Sequence, residues 1–322
     1  MSGQAGRSWG YWTEVKLAIL QGYLPAFLRA SKGKVNKFVY LDAFAGEGHG
    51  ISRVTGQSFP GSARIALDVD VAGGFTKLRY FEKEEKAQEL EQRLRSDYPD
   101  RDIKVYGGDC NETIATALSE LRSVRWAPTF AFLDPDGMEL AWETLKLLAA
   151  HKIGYKKRPG SAEYKVEIWL LFPTQGLIRM LALDPSKVMP PHENAATRLF
   201  GSDAWRPIYE RRRNNKCTAA DAKEEYVNLM RWRLIKELHY AKTHAFELKN
   251  TRGGTVYHMI FATDNAAGDR IMGDLYRSAA KAIPEMRQEA RDRQRGQPAL
   301  PFDDVDFADA GYQYEPPWQP PE

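Results

Sequence analysis

Three glycines at alternate positions, Gly46, Gly48 and Gly50, follow an aspartate, Asp42, that closes the apolar run 38–41. Glycines so placed let the backbone approach a ligand closely and take dihedrals closed to other residues. Acids recur behind later apolar runs: Glu82 after 77–81, Asp109 after 102–106 with Gly107 and Gly108 between, and Asp134 after 129–133. A carboxylate at such a place can accept from two hydroxyls at once, or from an amine. Each feature also has a plainer reading. The glycines can form a tight strand-to-helix turn with no ligand, and Glu82 can simply open a charged helix. Asn111 and Thr113 can cap a helix, and the segment Asp134, Pro135, Asp136, Gly137 can be a turn. Asp109 gains weight from standing in series with Asp42 and Glu82.

For these acids to meet, the runs must be strands of one sheet. The runs 38–41, 77–81, 102–106, 129–133 and 166–172 are short and apolar, as strands buried on both faces are. Helical patterns at 62–67, 84–98, 113–121 and 140–150 separate them, and such alternation predicts parallel βαβ units. In a doubly wound sheet the loops at the strand carboxyl ends gather near the switch point in strand order. Two more strand-like runs, 244–249 and 256–263, are joined through Gly253 and Gly254 and predict an antiparallel hairpin. An amphipathic helix over 9–30 precedes the first strand, with Val15, Ile19, Leu20, Tyr23, Leu24 and Phe27 on its apolar stripe.

The insertion 174–243 carries a predicted helix over 219–240 and the run Arg211, Arg212, Arg213, and reads as a helical lobe beside the site. Thr174, Gln175 and Arg179 can face the site, or Thr174 can cap its helix. One domain is expected over 1–290. The Pro-rich tail, 291–322, is expected to be disordered or laid loosely on the surface.

The chain has 322 residues, 43% hydrophobic and 28% charged. No apolar run reaches the ~18 residues that suggest a membrane span, and the first residues lack the apolar core of a secretion signal. Two distant cysteines, Cys110 and Cys217, suggest neither a disulfide framework nor a metal site and suit a reducing cytoplasm. A net charge of +3 does not by itself argue for nucleic acid.

Five parallel units followed by an antiparallel hairpin resemble the seven-stranded mixed sheet of class I S-adenosylmethionine-dependent methyltransferases, a Rossmann-like fold whose last strand inserts antiparallel. That resemblance implies S-adenosylmethionine as cofactor. Asp42, Phe44, Gly46 and Gly48 would wrap its amino-acid end, Glu82 its ribose hydroxyls, and Asp109 with Cys110 its adenine. A nicotinamide dinucleotide is the rival ligand. Its fingerprint is G-x-G-x-x-G with an acid about 20 residues on, where Asp68 and Asp70 stand, but 62–67 reads better as a helix opened by Pro60 and Gly61, which makes 77–81 the second strand with Glu82 at its end. Asp134 and Pro135 match the start of the Asp-Pro-Pro-Tyr motif of amino-methyltransferases acting on bases, and so are the candidate catalytic residues. The stacking aromatic of that motif is missing.

More narrowly, the chain resembles the three-Cys-motif partner family (TcmP), a bacterial group of methyltransferase-like proteins. Trp12, Lys16, Tyr23, the loop from Tyr40 to Gly48, Gly61, Ser62, Trp142, Gly201 and Trp205 carry that likeness. It implies a protein partner bearing three cysteines. Nucleic acid is the favoured acceptor; a module that binds it would use Lys156, Lys157, Arg158 and the Arg211 run as phosphate contacts and Trp205, Tyr209 and Trp232 for stacking, unless the basic runs are plain solvated loops. A non-catalytic binding module on the same fold is the alternative.

Overall fold

Phe130 and Phe132 pack into one apolar layer, and their neighbours Ala131 and Leu133 into the opposite one. Such alternation follows from the two-residue period of a strand, and here both faces are buried. The computed structural model describes residues 8–53, 55–151, 164–294 and 312–321. Seven strands form the main sheet: β1 (Val39–Asp42), β2 (Lys77–Glu82), β3 (Ile103–Gly107), β4 (Thr129–Leu133), β5 (Glu167–Phe172), β6 (Lys242–Lys249) and β7 (Thr255–Thr263). Their spatial order is β3-β2-β1-β4-β5-β7-β6. Strands β1 to β5 pair in parallel, and β7 runs antiparallel between β5 and β6, with Ile260 opposite both Leu170 and Ala245. This is a Rossmann-like sheet with the expected inserted last strand. Strand order reverses between β1 and β4, so the crevice of such sheets lies at their carboxyl ends.

One face is covered by α1 (Tyr11–Ser31), α2 (Ser62–Leu67), α3 (Glu84–Asp97) and α10 (Ala266–Gln294). The other is covered by α4 (Cys110–Glu120), α5 (Trp142–Ala150) and the inserted lobe of α6 (Thr174–Met180), α7 (Pro190–Phe200), α8 (Arg206–Arg213) and α9 (Ala219–Lys236). The lobe is tied to α5 by a close packing that glycine permits. Gly201 ends α7 at φ 67°, and a Cβ there would fall 2.2 Å from the Trp142 ring. Helix α9 stops at Lys236, short of the expected 240. His239 takes a positive φ of 58°, turning the chain so that the Tyr240 hydroxyl donates to the Val166 carbonyl at 2.8 Å.

Residues 312–321 depart from the expectation of a disordered or loosely laid tail. They cross the outer strand β6 from the α10 side to the α9 side. The Tyr312 ring packs against Phe246 and Tyr276, and its hydroxyl meets His244 Nδ1 at 2.6 Å. Arg231 donates to the Glu315 carbonyl, and the Asn228 amide holds the Trp318 main chain. Apolar aromatic packing on Phe246 and Tyr276 and main-chain bonds to Asn228 and Arg231 explain why an acidic, proline-containing segment settles there.

Candidate functional site

The chain after Asp42 is knitted into the sheet by its own backbone. Ala43 N donates to the Phe132 carbonyl and Ala45 N to the Phe81 carbonyl, each at 3.0 Å. Gly46 (φ 63°) and Gly48 (φ 75°) adopt left-handed conformations that favour glycine. Gly46 N donates to Glu82 Oε2 at 2.7 Å, and Gly61 N to the Gly48 carbonyl at 3.0 Å. A Cβ on Gly61 would lie 2.9 Å from the Gly48 carbonyl carbon, so α2 can begin against this loop because residue 61 lacks one. Instead of entering a helix directly, the loop continues into a three-stranded side sheet made of Ser8–Trp9, His49–Ser52 and Ser58–Pro60.

This loop walls a cavity of about 580 Å³ at the switch point, within the range usual for small-molecule sites. Phe44, Gly46, Gly48, Glu82, Asp109, Cys110 and Asp134 all line it, so most sequence-selected residues converge. Asp42 and Pro135 do not line it. Asp42 is wholly buried beneath the loop, where the Tyr40 hydroxyl donates to its Oδ2 at 3.2 Å. Burial, opposed by Ser62, Tyr40 and the Phe44 amide, pushes its pKa up to about 7. Even so, Oδ1 makes no hydrogen bond of normal geometry.

Glu82 Oε1 accepts from Lys83 N at 3.0 Å, while Oε2 holds Gly46. A carboxylate has about four acceptor positions, so Glu82 can brace the loop and still receive ligand hydroxyls. Asp109, and neither Asn111 nor Thr113, caps α4: its Oδ1 accepts from Asn111 N at 2.8 Å. That cap starts the helix at Cys110, ahead of the expected 113. Asn111 is instead a brace for the loop after β4. Its Nδ2 donates to the Glu139 carbonyl and its Oδ1 accepts from Ala141 N and the Thr144 hydroxyl. Burial pushes the Cys110 thiol up to about 12, so it is an apolar wall and no nucleophile at neutral pH.

Asp134 is half-buried and ion-paired with Lys16 of α1, which is 5% exposed. The same ammonium lies 5.9 Å from the Phe132 ring centroid. The sequence reading names Lys16 without giving it a chemical role. Its signal is a lysine one helical turn from Leu20 and two from Tyr23, on the buried stripe of an amphipathic helix. Arg198 of α7 also lines the cavity and donates to the Met138 carbonyl at 3.1 Å; nothing local in the sequence marks it. Asp136 is exposed at the cavity wall.

Several expected contacts fall elsewhere. Thr174 is fully buried, its hydroxyl bonded to the Phe172 carbonyl and to His258 Nδ1, so it neither faces the cavity nor caps α6. Gln175 and Arg179 are not among the cavity's lining residues. Trp205 and Tyr209 are core of the lobe, not stacking surfaces. Arg211 pairs with Glu225 at 2.7 Å, and Arg212 donates to the Ile178 and Leu181 carbonyls, which accounts for two of the three arginines within the lobe itself. Lys156, Lys157 and Arg158 lie outside the described residues. Among the described residues no helix is long and apolar enough to cross a membrane.

No family model matches the chain, and no curated protein matches it. Among solved structures it is similar to protein LPL1258 from Legionella pneumophila str. Philadelphia 1, described as family-model DUF519. The two are 14% identical over 81% of this chain and 86% of that one, with a TM-score of 0.42.

Proposed function

We propose that the chain is an S-adenosylmethionine-dependent methyltransferase, with an amine or hydroxyl acceptor presented to Asp134. The observation that carries this reading is the charge of the cavity at the switch point. Eight carboxylate side chains line it against four from lysine and arginine, with Asp42 buried just beneath. An acid-rich wall suits a ligand bearing sulfonium and ammonium charges and opposes the pyrophosphate of a dinucleotide.

The residues present fit the cofactor. The open backbone of Gly46 and Gly48 and the remaining acceptor positions of Glu82 are the groups that would hold it, with Asp109 and Cys110 on the adenine side and Asp42 supporting the loop from beneath. When bound, the cofactor supplies an activated methyl group. The chain's own part is to place the acceptor: Asp134 accepts a hydrogen bond from it and takes up its proton as the methyl arrives, and Lys16 fixes where that carboxylate stands. Alignment of this kind accounts for much of the acceleration in group transfer. The likeness to the three-Cys-motif partner family fits this reading, since Lys16 and the loop to Gly48 are among the residues that carry it. The acceptor class stays open, because the Arg211 and Arg212 side chains that would favour nucleic acid are engaged inside the lobe.

Calorimetry tests the proposal. S-adenosylmethionine or its demethylated product should bind saturably and NAD should not. Glu82→Lys should weaken binding by roughly 1.5–3 kcal/mol, the range for a hydrogen bond to a charged group. Saturable NAD binding with no heat from S-adenosylmethionine would overturn it. Labelled methyl transfer into host DNA, RNA and protein fractions then identifies the acceptor, and binding without transfer into any fraction would leave a binding module.

A further inference from the structure

The seat of residues 312–318 has features that tail packing alone does not require. Asn228 of α9 is 1% exposed, and its carboxamide makes two hydrogen bonds to one residue of the segment: Trp318 N donates to Oδ1 and Nδ2 donates to the Trp318 carbonyl, both at 2.9 Å. A carboxamide carries a donor and an acceptor side by side, so it can replace the strand that a peptide would otherwise pair with. Arg231, one turn further along α9 and 6% exposed, spans the Thr243 carbonyl of β6 and the Glu315 carbonyl of the segment. Both buried polar side chains therefore read main chain. Side-chain selectivity comes at the other end, where the Tyr312 ring lies 5.2 Å from the Tyr276 centroid and its hydroxyl reaches His244.

The occupant suits such a seat. Pro316 and Pro317 hold the stretch before Trp318 extended, which lowers the entropy lost on docking. The fit is incomplete, however. A cavity of about 380 Å³ remains beside the segment, walled by Tyr312, Glu315 and Trp318 on one side and by Asn228, Arg231 and His258 on the other. Emptying the seat would open the Asn228 carboxamide to water and leave Arg231 with its Thr243 partners alone. Exchange of one segment for another keeps every one of these main-chain bonds.

We infer that this groove between α9, β6 and α10 is a peptide-binding site for an extended Tyr-x-Tyr-Glu-Pro-Pro-Trp segment. Its own copy sits there in cis, and the same segment of a second copy of this chain is the partner in trans. A segment that fits the seat of its own chain fits the identical seat of another. The tethered copy competes at an effective concentration in the millimolar range, so exchange becomes visible when the resident segment is weakened or the chain is concentrated.

The test uses the full chain and a fluorescent peptide of residues 312–321, read by polarisation. A full-length variant with its own segment weakened by Tyr312→Ala and Pro317→Gly should bind the peptide at least tenfold more tightly than the unchanged chain. Adding Asn228→Asp, which keeps the shape and removes the donor, should weaken that binding on the order of tenfold. The peptide carrying N-methyltryptophan at position 318 should lose affinity similarly against an unaltered seat, which covers the case where Asn228→Asp fails to fold. Two differently tagged full-length copies should co-purify and be released by excess peptide. Absence of saturable peptide binding to the weakened variant, or affinity indifferent to the lost N–H, overturns the site. Copies that stay apart at concentrations saturating for the peptide overturn the second copy as its partner.

Discussion

Two carboxylates buried in the molecule, Asp42 and Glu167, have pKa values pushed up to about 7, in each case chiefly by burial. Glu167 is held by the Tyr23 and Thr263 hydroxyls, which lower its value without cancelling that effect. Because the folded chain holds these protons more tightly than the unfolded one, their contribution to stability is fully present below about pH 4. It is lost as pH rises through about 7. Urea midpoints should therefore fall between pH 5 and 8, and the pair Asp42→Asn, Glu167→Gln should flatten that slope. An unchanged slope would mean the two groups ionise without strain. At the cavity, Asp134→Asn should keep cofactor binding and lose turnover by on the order of 10²–10⁴-fold, the range for general acid–base assistance. Lys16→Met should lower turnover with cofactor binding retained, and Lys16→Arg should recover part of it. A Lys16→Met chain with normal turnover would remove lysine from the positioning role. The residues that the sequence exposes best are those whose chemistry is strand-local: Asp42, Gly46, Gly48, Glu82, Asp109 and Asp134 are each announced by the apolar run before them. Lys16 and Arg198 reach the same cavity from helices distant in sequence, and only packing brings them there.

Elements were legible where period and breaker agree. The strand at 129–133 and the helix at 62–67 match their expected bounds because an apolar run or a Pro-Gly opening marks each edge. Ends set by a cap or a turn were less visible: α4 starts at Cys110 because Asp109 caps it, and α9 ends where His239 turns the chain. The lobe's attachment is a further case, since nothing within the insertion reveals that Gly201 must lie flat on Trp142, some 60 residues earlier. Gly201→Ala should cost more than the ~1–2 kcal/mol of a left-handed residue, because its Cβ would also strike the indole. A smaller side chain at position 142, as in Trp142→Leu, should return part of that loss when combined with it. Chemical denaturation of the single and double variants measures both effects, and additive losses would refute the contact.

At the scale of the whole molecule, the parallel part of the sheet followed from the alternation of strands and helices, whereas the path of 312–321 did not. Proline and acidic content describe that segment's surroundings poorly, because its binding energy lies in groups supplied by α9, α10 and β6. If nucleic acid is the acceptor, its affinity should fall steeply with salt. Replacing Arg211, Arg212 and Arg213 by alanine should then destabilise the lobe more than it changes the salt slope, since Arg211 and Arg212 are engaged internally. A slope reduced with thermal stability intact would reverse that assignment. Helix α1 packs along α10 and brings Lys16 to Asp134, so the first helix of the described chain is seated against the last. During synthesis, Lys16 leaves the ribosome about 250 residues before that neighbouring surface exists. The face of α1 around Gly22, which meets Leu275, therefore stays uncovered until α10 arrives, even though Tyr23 and Phe27 can already pack on Phe130 and Phe75. Long-range closure of this kind is slow, so a nascent chain halted before 266 should remain inactive and dependent on chaperones.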